Sequence, residues 1–215
     1  MKSLPPITAV DGSHLPSVLS MLLEPSDILF STLSPGLAAS GKRFASYTEL
    51  IDAAIAQVAN WDPSLRAQFI AGHPRIGETK NLSPLSAKEQ GATPVVAPTP
   101  PQVLTRLAHL NASYERRYPG LRYITFVNGR SRAAIAVEME DALGLAHSLS
   151  QDQPPVEEIT PIEPDTDAWR IELDRAVVDV GRIAKGRLST MKIEESRCVC
   201  VFIFIIQLQK SFRSG

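Results

Sequence analysis

Four runs of apolar residues at helical spacing constrain the fold of this chain more than any other feature. Tyr47, Leu50, Ile51, Ala54, Ile55 and Val58 form the first, and Val103, Leu104, Leu107, Leu110, Tyr114 and Tyr118 the second. Ile135, Met139, Ala142, Leu143 and Ala146 form the third, and Trp169, Leu173, Val177, Val180, Ile183 and Leu188 the fourth. Each stripe lies on one face of a 3.6-residue period, so each predicts a helix that must bury that face against a neighbour. Ser46 followed by Glu49 predicts a capping-box start for the first. Shorter helices are predicted over 16–23 and 64–71. One segment breaks the pattern: "LRYITFV" at 121–127 reads locally as a strand, yet a lone strand has no ladder to satisfy its backbone. Pro-rich stretches at 93–101 and 153–167 mark loops, and the second is long enough to be mobile.

A chain of 215 residues fits one domain of ordinary size, and 44% hydrophobic with 21% charged residues is a globular composition. The net charge of −1 leaves no electrostatic footprint for nucleic acid or an anionic membrane, so an anionic ligand has to be met by local cations. Cys198 and Cys200 are not a disulfide framework, which points to a reducing compartment. The first residues, "MKSLPPITAVDGSHLPS", carry no apolar core of a secretory signal. The run "CVCVFIFII" at 198–206 is far shorter than the roughly 20 residues of a membrane span and reads as a β-type segment.

Three polar clusters stand out from this background. The first is His73-Pro74 in "FIAGHPRIGE". Proline restricts the preceding residue to extended conformations, which displays His73 at a helix exit, and an imidazole titrates near neutrality. A lone His-Pro is more commonly a surface or helix-terminal residue. The second is Ser86 to Gln90 in "LSPLSAKEQGA". Ser86 and Glu89 match a capping box by themselves, but Gln90 beside Glu89 adds an amide that can both donate to and accept from a ligand. The third is Asn128-Gly129-Arg130-Ser131 in "YITFVNGRSRAAI". Asn-Gly predicts a turn, Ser131 a helix cap, and Arg130 either a solvated charge or a two-pronged grip on a carboxylate. Arg132 is expected to point to solvent. No two of the four histidines lie three or four residues apart, so no metal site is predicted; no phosphate loop or serine elbow is present either.

The order of the three clusters, joined by "LAHLNASYERRYPG", resembles the 2-oxo-4-hydroxy-4-carboxy-5-ureidoimidazoline (OHCU) decarboxylase family of urate breakdown. The resemblance runs from about Trp61 to Leu143, and more weakly from Trp169 to Leu188. It implies an all-α, single-domain helical bundle, in which 121–127 becomes an extended connector. The expected domain spans 1–191, with 192–215 as an atypical apolar tail. The implied activity is decarboxylation of OHCU to (S)-allantoin in purine catabolism, with no cofactor. His73 and Glu89 are implied as catalytic; Pro74, Ser86, Gln90, Phe126, Val127 and Arg130 are implied to bind substrate.

The expected partners are the small ureidoimidazoline substrate and a second copy in a homodimer, without nucleic acid or membrane. A cytoplasmic or peroxisomal location is implied, although this chain does not end in Ser-Lys-Leu. The alternative is a non-catalytic helical module that binds a ligand or partner through the same pocket. The chain departs from the family in one place: many members have Asp-Leu after His-Pro, whereas Arg75-Ile76 stands here. That cation is expected to depress the pKa of His73 if the two side chains approach.

Overall fold

The computed structural model describes residues 3–78, 99–150 and 153–194. Among these the regular elements are helices: α1 (Leu15–Leu22), α2 (Ser34–Ala39), α3 (Tyr47–Ala59), α4 (Pro63–Ala71), α5 (Pro101–Arg117), α6 (Arg132–Leu143) and α7 (Asp167–Thr190). A π-helical stretch, Leu29–Leu33, leads into α2. The fold is an all-α single domain, and none of the described helices is long and apolar enough to cross a membrane.

The stripes find their partners as the period requires. Leu50, Ile51, Ala54 and Val58 are buried on α3, and that face meets α7, where Trp169, Leu173, Val177 and Val180 are buried in turn. Burying a Leu, Ile or Val side chain contributes about 1.5–3 kcal/mol. At 24 residues, α7 is roughly 36 Å long and packs against α1, α3 and α4. α5 and α6 pair separately through Val103, Leu107, Leu110, Ile135 and Met139.

Capping sets the ends. The Ser46 hydroxyl accepts from Glu49 N (3.1 Å), and the Glu49 carboxylate reaches back to Ala45 N (2.8 Å). Ser131 accepts from Ala134 N (3.1 Å) as α6 begins. At its other end the predicted third stripe runs too far. Gly144 takes a left-handed conformation (φ 67°), and Leu145 N bonds back to Glu140 O (2.8 Å). This Schellman-type stop leaves Ala142 and Ala146 exposed.

One further segment differs from its sequence reading and another agrees with its own. The 153–167 loop is strapped to α5: Arg106 donates to Gln153 O (2.8 Å), His109 to Pro154 O (2.9 Å), Ile162 N to Arg117 O (2.7 Å) and Arg117 to Thr160 O (2.8 Å). Residues 121–127 form no strand, as the connector reading requires. Their carbonyls are met by arginines instead of a ladder, Ile124 O by Arg175 (2.8 Å) and Phe126 O by Arg130 (2.6 Å). The N-terminus closes on the end of α7 through Leu4 N to Lys192 O (2.9 Å) and Glu194 N to Leu4 O (2.8 Å).

Candidate functional site

His73 leaves α4 one residue after its Gly72 cap and is buried, with 4% of its surface exposed. Burial follows from close approach on one side. A Cβ at Gly72 would stand 2.8 Å from Ser26 Cβ, so the α4 exit lies directly on the segment after α1. That segment carries Glu24, which the proline at position 25 holds in extended backbone. Glu24 accepts from Arg187 Nη2 of α7 at 2.5 Å, and both side chains are buried. Residue types give no local sign of this pairing, because the partners lie 163 positions apart.

The imidazole is tied on one nitrogen. Phe69 O can only accept, so Nδ1 carries the proton of the 3.2 Å contact, and Nε2 keeps its lone pair. The Phe69 ring packs edge-on against the imidazole. Burial first, and then the positive charge of Arg187, bring the His73 pKa down to about 4 against the opposing effect of Glu24. At neutral pH the residue is an uncharged base with an available Nε2.

The loop that follows is pinned at each step. Arg122 of the connector donates to His73 O (2.5 Å), and Asn111 of α5 donates to Ile76 O (2.9 Å) and Leu107 O (2.7 Å). Asn111 and Tyr114, prominent in "LNASYERRYPG", are therefore scaffold; the Tyr114 hydroxyl donates to Glu172 Oε1 (2.5 Å). The expected effect of Arg75 on His73 does not occur. Its guanidinium forks onto Glu115 (2.6 and 3.0 Å) and meets Glu78 (3.3 Å), and the cation acting on the histidine is Arg187.

Phe126 reaches α7. A Cβ at Gly186 would stand 2.8 Å from its Cε2, which sets the ring against the residue before Arg187. Pro74 and Val127 are half-buried. Asn128 and Gly129 both take positive φ (47° and 76°) in a turn closed by Arg130 N to Val127 O (3.0 Å). Arg130 is engaged by its own neighbourhood: it donates to Val127 O (3.0 Å), Thr125 Oγ1 (3.0 Å) and Phe126 O (2.6 Å), and pairs with Glu138. Arg132 does not point to solvent as expected. It is half-buried, donates to Thr99 Oγ1 (3.2 Å), and keeps Nε and Nη2 buried without a partner among the described residues. Ser86, Glu89 and Gln90 lie outside the described residues.

The structure thus brings His73 together with Glu24, Arg187, Arg122 and the connector that bears Phe126. The Arg130 turn is built at the far end of that connector. No three His, Cys, Asp or Glu side chains among the described residues gather to hold a metal ion. A buried neutral imidazole beside a buried guanidinium can take a proton from a substrate whose anionic group the cation attracts.

No curated protein matches the chain significantly. The family model described as OHCU decarboxylase matches residues 9–151, which take in His73, the 86–90 cluster and the Arg130 turn but stop short of Arg187. With two thirds of its length matched, the chain belongs to the OHCU decarboxylase family.

Proposed function

We propose that the protein converts OHCU to (S)-allantoin and carbon dioxide as a carboxy-lyase of purine catabolism, without a cofactor. The observation that carries this reading is the buried, neutral His73 with Nδ1 committed to Phe69 O and Nε2 available. The substrate has a C=N beside the carbon that loses its carboxylate, so the bond electrons have an internal sink. The carboxylate leaves as carbon dioxide, and the ring nitrogen that receives the electrons takes a proton from water. The adjacent hydroxyl gives its proton to His73 Nε2, which returns it to the ureido-bearing carbon. A neutral base is the form this cycle needs at its start.

Glu89 is assigned to hold the substrate or set the protonation of His73, and Ser86 and Gln90 to meet its ureido edge. Pro74, Phe126 and Val127 line the pocket in this reading. Arg187, buried next to the base, meets the substrate carboxylate, and Arg130 shapes its own turn and adds an oxygen contact there.

The test is a coupled assay in which urate oxidase and the upstream hydrolase generate the substrate, with allantoin stereochemistry followed by circular dichroism. His73→Asn and Glu89→Ala each lower turnover by at least ~10²-fold with the fold intact. Wild-type rates in either folded variant remove that residue from the mechanism. Substrate-stabilised melting with no turnover replaces the enzyme by a binding module.

A further inference from the structure

The Glu24–Arg187 pair raises a question of its own. Two charges removed from water must neutralise each other, or the site carries an uncompensated charge against the imidazole. Arg187 is held at 2.5 Å by Glu24, and both residues are buried, as His73 is. The close approach that Gly72 allows toward Ser26 is what brings the Glu24 segment to the α4 exit.

We propose that Glu24 is a positioning residue of the site, whose carboxylate fixes the Arg187 guanidinium and offsets part of its charge beside His73, so that the imidazole can accept a proton. Without the carboxylate, proton transfer to the histidine would create a second positive charge against a buried guanidinium. The charged groups around His73 agree with this division of labour. Arg187 of α7 opposes its protonation and Glu24, after α1, favours it. Arg122 of the connector bonds the backbone carbonyl, and Arg75 turns away to Glu115 and Glu78. The inference rests on the decarboxylase reading for its kinetic consequence only.

The experiment compares the full-length protein with Glu24→Gln, Glu24→Asp and Arg187→Met. Histidine ring titration by ¹⁵N NMR requires no turnover. If Glu24 acts through charge, Glu24→Gln moves the His73 midpoint down, Arg187→Met moves it up, and Glu24→Asp keeps it near wild type. If the pair only supports packing, Glu24→Gln hydrates the site and moves the midpoint up toward the ordinary histidine value near 6.5. A rise or no change in Glu24→Gln overturns the proposal.

In the coupled assay Glu24→Gln loses at least ~10-fold in kcat with a smaller change in KM, and Glu24→Asp recovers most of it. Equal loss in both variants, with both folded, also overturns it. A wild-type protein that shows no turnover removes the decarboxylase reading, while the NMR comparison still decides the role of Glu24.

Discussion

Burial of His73 has a cost that unfolding at acid pH exposes. Its folded-state pKa of about 4 lies below the value of 6.5 that the unfolded chain restores. Between those values the unfolded state binds the proton and the folded state does not. Stability is therefore complete above about pH 6.5 and is lost as the pH falls toward 4. Linkage puts the loss from this one group at roughly 1 kcal/mol by pH 5.5 and roughly 2–3 kcal/mol by pH 4.5. Asparagine is similar in size and does not titrate, so His73→Asn removes this contribution alone. Urea unfolding of both proteins at pH 7.5, 6.5, 5.5 and 4.5 gives the difference in unfolding free energy at each pH. That difference is expected to shift in favour of the variant by about 1 and then about 2–3 kcal/mol on the acid side. Parallel stability curves for the two proteins from pH 7.5 to 4.5 would refute the claim that the folded protein keeps this imidazole desolvated and uncharged.

Other sites give independent checks. Arg75→Ala leaves the His73 midpoint in place by NMR, because that guanidinium is spent on Glu115 and Glu78; a clear rise would restore the cation to the histidine. Arg106→Met leaves Glu140 buried without its 2.8 Å partner, and urea unfolding should show a loss of about 3–5 kcal/mol, a loss under about 1 kcal/mol meaning that water reaches the pair. Gly186→Ala drives a methyl group into Phe126 and costs about 1–3 kcal/mol in thermal or urea unfolding, and unchanged stability would mean the ring moves aside freely.

The helices were legible wherever period and cap agreed. Ser46, Glu49 and the following stripe predict α3 within one residue of its observed end, because each signal is local and each is used. The third stripe was overextended since apolar residues continue past Gly144, and only the left-handed stop at that glycine ends the helix. The 121–127 segment has the local composition of a strand and is the expected connector. Leu121, Tyr123, Ile124 and Thr125 are all buried, and arginine side chains stand where a neighbouring strand would be. His73 was visible through its company, and its burial was not, since Gly72 and Ser26 meet only in three dimensions. Glu24 and Arg187 left no trace because a buried ion pair across 163 positions has no period, spacing or turn signature.

One helix carries both the support and the charge of this site. The N-terminal half of α7 clamps the connector: Glu172 accepts from Tyr114, while Arg175 lies over the Tyr123 ring, donates to Ile124 O and pairs with Asp179. Tyr123 in turn donates to Glu138 (2.6 Å), the carboxylate that also pairs with Arg130, and burial pushes its phenol up to about 12, so it remains a donor. The C-terminal half presents Gly186 to Phe126 and Arg187 to Glu24. Arg175 fixes the connector at its middle, through Ile124 O, and the Arg130 turn fixes its end. Arg122 stands two residues before the Ile124 anchor and grips the His73 carbonyl. In the proposed decarboxylation, His73, the Arg187 guanidinium and the Phe126 ring then share one helix as their reference, which is what transfer of a proton to one face of a planar carbon requires.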